Sequence, residues 1–292
     1  MSTVAFRNPK DYQHFVHYIA WACLAALYSP VFFQLYKSRW ETIDYTHAYF
    51  VLPVSLWTAW QRREILKKLF RETHLAGLDI VSLLAMVIGL FMFVFGWRLD
   101  YLAISTASLI PVLWGSIRFL YGPKVVKALT FPLLFILFLI PPPVGILDSI
   151  TIPMRYTVSQ LTESILSAFH YPITRNGLLL TMDGHDIFMG APCSGFRSLI
   201  TMITLAVAYV SLINANLPKK IILIISGIPF ALLGNLIRVL SLCLVTHYFG
   251  QEKAEGFFHD FSGIMVFLIV IGCLMGLEFV VDRIQKRRSR AQ

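Results

Sequence analysis

Charge is scarce in this chain: only 14% of its 292 residues are Asp, Glu, Lys or Arg, while 57% are hydrophobic. An ordinary soluble domain carries about a quarter charged residues, so this shortage excludes a water-soluble globular protein. Cysteine is also scarce. Of the four, Cys23, Cys243 and Cys273 fall inside apolar runs and only Cys193 lies outside one. A disulfide framework is thereby excluded, because three of the thiols would be embedded in lipid. The sequence has no internal repeat, low-complexity tract, glycine-rich phosphate loop or second catalytic carboxylate. These absences remove solenoid architectures, phosphate-cradling nucleotide chemistry and catalysis by a carboxylate pair.

What is present is a succession of apolar runs of membrane-spanning length. They predict an all-α, polytopic membrane helical bundle forming a single domain over 1–292. About eight transmembrane helices are expected, at 15–36, 47–60, 76–96, 100–117, 128–146, 195–213, 221–247 and 262–281. The second is short and contains Pro53, and Pro141-Pro142-Pro143 ends the fifth. With the N-terminus inside, 17 of the 25 Lys and Arg fall on the inner segments and six on the outer ones. Arg197 and Arg238 lie within spans. Cytoplasmic loops are enriched in basic residues, so this bias puts both termini in the cytoplasm. The first span, about 22 residues with no small-x-small cleavage site, reads as a retained anchor. The net charge of +9 is mostly this orientation signal. It provides a contact between the Arg283–Arg290 tail and anionic membrane lipid, and makes nucleic acid an unexpected partner.

The one long stretch between spans, about 147–193, falls on the outer side. Apolar residues from Asp148 to Phe169 recur near helical spacing (Ile150, Met154, Val158, Leu161, Ile165, Leu166) and predict a short extracytoplasmic amphipathic helix. A β-hairpin follows, with strands through Leu178–Thr181 and Asp186–Met189 about an Asp183-Gly184 turn, leading toward Cys193. Asp183, His185 and Asp186 on one turn are too sparse a set to predict a metal, and no cofactor is expected.

Three polar features interrupt the apolar pattern in succession. Cys193 opens a hydrophobic helix within Pro192-Cys193-Ser194-Gly195-Phe196-Arg197. A helix N-terminus and the nearby Arg197 both favour a thiolate, whereas the bland reading of a cysteine is a small buried hydrophobe. Arg238, in Asn235-Leu236-Ile237-Arg238, lies deep in the next run. An ionisable group there is expensive and marks function, unless it merely snorkels. Asn235, Arg238 and Ser241, at i, i+3 and i+6, predict a polar stripe facing the bundle. His259, in His259-Asp260-Phe261-Ser262-Gly263, sits at the mouth of the last run, where Ser262 and Gly263 allow close helix approach. It could equally be a surface imidazole, with His247 and His185 as rival bases. A thiol, a guanidinium and an imidazole together suffice for acyl transfer: nucleophile, oxyanion donor and acid/base.

These three motifs, in this order, resemble those of the exosortase/archaeosortase family, and the resemblance extends to the early His47-Ala48 to Pro53 segment. It implies a cysteine protease or transpeptidase of the inner (cytoplasmic) membrane, with its active site facing outside. Its partners would be exported proteins bearing a C-terminal sorting signal: a short Pro-Glu-Pro-like motif, one transmembrane helix and a basic tail. By the resemblance Cys193 is the nucleophile, Arg238 the transition-state donor and His259 the acid/base, with Ser194, Arg197, Asn235, Ser262 and Gly263 in support. Two other classes fit a chain with these features: a small-molecule or lipid-linked-saccharide transporter or flippase that uses Arg238 to hold an anion, and a non-catalytic membrane chaperone for exported proteins. A transporter should spread polar midplane residues over several helices or show an inverted repeat, and the sequence shows neither.

Overall fold

A computed structural model describes residues 9–40, 47–72, 79–141, 146–188, 196–213, 215–260 and 262–291. The chain forms two compact units, residues 1–141 and 142–292. It is mostly α-helical, with one small antiparallel sheet.

The first unit contains α1 (Pro9–Leu35), α2 (Ala48–Gln61), α3 (Arg63–Glu72), α4 (Ile80–Arg98), α5 (Leu102–Ala107), α6 (Leu109–Tyr121), α7 (Pro123–Ala128) and α8 (Thr130–Phe135). A π-helical turn, Tyr36–Trp40, follows α1, and a 3₁₀ turn, Ile136–Leu139, follows α8. The buried residues of α4 are Ser82, Gly89 and Gly96, one every two turns. Inside a bilayer apolar contact alone does not drive helices together, so small residues that let backbones approach supply the packing. The approach is tight enough that a Cβ added to Gly96 would lie 2.5 Å from the Ser105 amide nitrogen. Beside this seam Tyr28 of α1 hydrogen-bonds Ser108 at 2.8 Å, and elsewhere in the unit Ser55 of α2 donates to the Pro132 carbonyl at 2.9 Å. His47, just ahead of α2, is buried. At the start of α4, Asp79 caps the helix by accepting from the Val81 amide and pairs with Arg118. That pairing holds its carboxyl below the usual carboxylate range.

The second unit contains α9 (Ile146–Ala168), β1 (Ile173–Asn176), β2 (Leu179–Met182), β3 (His185–Phe188), α10 (Phe196–Leu212), α11 (Leu217–Phe249), α12 (Gln251–Asp260) and α13 (Ser262–Ala291). The three strands form an antiparallel sheet in chain order, joined by two-residue turns. Asp183 and Gly184 both have positive φ, 52° and 80°, the backbone a primed hairpin turn demands. The hairpin was expected; β1 was not, although Asn176-Gly177 is itself a turn signal. In α9 the buried face differs from the one expected. Val158, Ser159, Thr162 and Leu166 are buried, whereas Leu161 and Phe169 are exposed. Two small hydroxyl residues replace bulky ones there because Val158 and Leu166 pack with Val239 and Cys243 of α11.

Among the described residues, five helical segments are long and apolar enough to cross a membrane: Phe15–Ser38, Ile80–Arg98, Leu102–Tyr121, Leu217–Phe249 and Met265–Arg287. Eight were expected, and the other three expected spans take these forms among the described residues. α2 has 14 residues, about 21 Å of helix against a hydrocarbon core of about 30 Å. The run at 128–146 breaks into α8 and a 3₁₀ turn ahead of Pro141. Of the span expected at 195–213, the described part is α10, 17 residues from Phe196, with Ile200–Leu212 apolar.

Candidate active site

α11 organises the second unit. Its buried residues, Lys219, Leu223, Gly227, Ala231, Gly234, Asn235, Arg238, Val239, Leu242, Cys243 and Thr246, recur every three or four positions and form one stripe along the helix. Ser241 is only half-buried. At 100° per residue it lies about 240° round from Asn235, so the stripe continues through Leu242 and Thr246 instead. Asn235 is 1% and Arg238 6% exposed, which takes both side chains away from lipid and into the packed interior.

Two close contacts fix the neighbours of this stripe. A Cβ on Gly234 would meet Val266 Cγ1 of α13 at 2.9 Å, and one on Gly227 would meet Ala206 Cβ of α10 at 3.3 Å. At the opposite end, Lys219 donates to Glu278 at 2.9 Å and Asp282 at 2.6 Å on α13, and Tyr209 of α10 donates to Glu278. Both neighbours therefore run antiparallel to α11, as short connections between helices require. One turn beyond Gly234 on α11 and one turn back from Val266 on α13 bring Arg238 level with Ser262. The same counting from Gly227 and Ala206 brings the first turn of α10, which holds Arg197, level with the Asn235–Arg238 segment.

The sequence-predicted residues divide as follows. Asn235 and Arg238 are buried neighbours on α11; Arg197 is the second residue of α10; Ser262 and Gly263 open α13. His259, expected at the mouth of the last span, lies in the last turn of α12, three residues ahead of the first residue of α13, with Phe261 outside the described residues. Cys193 and Ser194 lie outside the described residues.

The rival base His247 has a partner of its own. Its Nδ1 pairs with the Asp183 carboxylate at the hairpin turn, and its ring stands edge-on to Tyr171 (5.2 Å between centroids) and Tyr248 (4.8 Å). The Tyr171 and Tyr248 hydroxyls are 2.8 Å apart, and this contact holds the Tyr171 phenol above its ordinary range. Asp186 accepts from Thr181 at 2.7 Å, so Asp183, His185 and Asp186 do not act as one set. Among the described residues no group of three or more His, Cys, Asp or Glu could hold a metal.

Sequence reasoning missed two groupings. Lys219, one of the 17 basic residues assigned to the inner segments, is buried between two carboxylates. The signal was the spacing of Glu278 and Asp282, four apart on one helix face. The Asp183–His247 pair joins residues 64 apart and had no local signal.

Buried polar groups on the inward stripe of a long apolar helix define a polytopic membrane protein with an intramembrane polar site. The family model described as transmembrane exosortase (Exosortase_EpsH) matches residues 40–276, and the chain belongs to that family. No curated protein and no solved structure matches it significantly. Membership supports an enzymatic role at the membrane in processing sorting signals.

Proposed function

We propose that this protein is a membrane-embedded cysteine protease or transpeptidase that cleaves C-terminal sorting signals of exported proteins at the outer face of the inner membrane. The observation that carries the reading is the burial of the Arg238 guanidinium beside Asn235, level with the first turns of α10 and α13. A guanidinium at that depth is costly unless it has work to do, and its fixed fork of N–H donors suits a developing oxyanion.

In this mechanism the Cys193 thiolate attacks the scissile carbonyl carbon. Arg238 donates N–H to the oxyanion of the tetrahedral intermediate. The C–N bond then breaks as His259 gives a proton to the leaving amine, which leaves a thioester on Cys193. An acceptor nucleophile attacks that thioester, passing its proton to His259 and releasing the Cys193 thiolate. Arg197 and the α10 N-terminus favour the thiolate, Ser194 and Asn235 frame the site, and Ser262 and Gly263 permit close helix packing. A signal carrying its own transmembrane helix presents its scissile bond at the membrane surface, where this chemistry would occur. Both termini lie in the cytoplasm in this arrangement.

The test is co-expression with an exported protein bearing a Pro-Glu-Pro-like C-terminal signal, followed by intact mass. The wild type shortens the substrate, and Cys193→Ala accumulates in the membrane without doing so. Processing by Cys193→Ala at the wild-type rate removes the thiol mechanism.

A further inference from the structure

The first unit contains a cavity of about 560 Å³ that the reaction above does not use. That volume falls within the range of about 300–1,000 Å³ common for small-ligand sites. It lies where two long apolar segments end together, Phe15–Ser38 and Ile80–Arg98, and therefore at a membrane–water boundary whichever way the chain is oriented. Its lining is split by chemistry. Pro30, Phe33 and Leu102 are apolar, whereas Lys37 and Asp100 bring one charge of each sign. Trp97 adds an aromatic surface, as interfacial sites commonly do.

The polar end is built rather than incidental. Asp100 holds φ at 57°, a left-handed backbone where glycine or asparagine is easier, and its carboxylate accepts from Gln34 at 3.2 Å across the two segments. Ser38 donates to the Gln34 carbonyl at 2.6 Å, which fixes the turn carrying Lys37. The Lys37 ammonium lies 4.8 Å from the Phe33 ring centroid, at the junction of the polar and apolar parts. Beneath, Tyr28 and Leu35 are buried, so the end of α1 is anchored against its neighbours.

We propose that this cavity binds one phospholipid with a phosphoethanolamine headgroup. The lipid phosphate pairs with Lys37, the primary ammonium donates to Asp100, and the chains leave along Pro30 and Phe33 toward the hydrocarbon. Charge decides among lipids. A purely anionic headgroup meets Asp100 as a like charge, and a choline headgroup has no N–H with which to satisfy the carboxylate.

The experiment reconstitutes the full chain in nanodiscs with equal parts of ethanolamine, choline and glycerol phospholipids of identical chains, then counts retained lipid by native mass spectrometry. One ethanolamine lipid per chain is expected at about fivefold over the others, the size of one partly exposed charge-assisted contact. Asp100→Asn keeps an oxygen for Gln34 and tolerates the left-handed backbone, so the corner stays folded. It abolishes the preference of ethanolamine over choline. Lys37→Gln lowers retention of all three. Equal retention by the wild type, a preference for the glycerol lipid, or an ethanolamine preference unchanged in Asp100→Asn overturns the assignment.

Discussion

The helix seams of the two units are built on opposite principles. In the first, α4 meets α5 and α6 through Ser82, Gly89 and Gly96 at close backbone approach, and the Asp79–Arg118 ion pair sits at the helix end. In the second, α11 meets α13 and α10 through glycines as well, but Lys219, Asn235, Arg238 and Thr246 share the same stripe. Polar groups in a membrane interior cost energy that packing does not return, so the first seam has the composition of a scaffold and the second that of a site. Substitutions should separate the two, moving stability at one and turnover at the other.

After the loss of processing in Cys193→Ala, the largest expected effect is His259→Ala. Loss of proton transfer lowers processing about 10²–10⁴-fold and flattens its pH profile, measured on a purified sorting-signal peptide. A wild-type profile in this variant, with activity lost instead in His247→Ala, would transfer the acid/base role to the imidazole that Asp183 orients. Arg238→Lys comes next. It keeps the charge but loses the planar fork, so turnover falls about 10²-fold or more while substrate binding persists. Full activity would reduce the guanidinium to a membrane anchor.

In the other seam, Gly96→Val drives a side chain into the Ser105 backbone, an overpacking cost of about 1–3 kcal/mol. Denaturation in detergent should register this, while the pH profile of the remaining activity stays as in the wild type. An altered profile would show that the two seams are not separable. The smallest effect is expected from Asp79→Asn, which keeps the helix cap and removes the charge paired with Arg118. Because the folded carboxyl is held below its ordinary value, chiefly by the Arg118 hydrogen bond, its stabilisation is present above about pH 4 and fades as pH falls through the lowered value. The variant should lose that part of the wild type's acid sensitivity in a pH series of thermal melts.

The long helices and the hairpin turn were legible because their signals are local: unbroken apolar runs and Asp183-Gly184. The polar residues of α11 were legible for a related reason, since an asparagine and an arginine stand out against leucines. Helix continuity was less legible. Composition does not reveal that the α-helix in the run at 128–146 ends at Phe135 and continues as a 3₁₀ turn, because that depends on where turns are stabilised by packing. The buried face of α9 was misread because Ser159 and Thr162 are polar by composition yet small enough to sit against a neighbour. The pairs Lys219–Glu278 and Asp183–His247 join elements far apart in sequence, where no periodicity applies.

The 33 residues of α11 make a rod about 50 Å long, clamped near one end by the Lys219 ion cluster and carrying Arg238 more than halfway along. Pro229, inside the helix between the ion cluster and Arg238, removes one backbone hydrogen bond but leaves the helix continuous. A slip of one residue between α11 and α13 at the ion cluster carries the guanidinium about 1.5 Å along the bundle, and a misplacement of about 1 Å at a reacting centre can cost about 10²-fold in rate. The charges at the far end thus fix the register of α11 against α13, and with it the depth of Arg238.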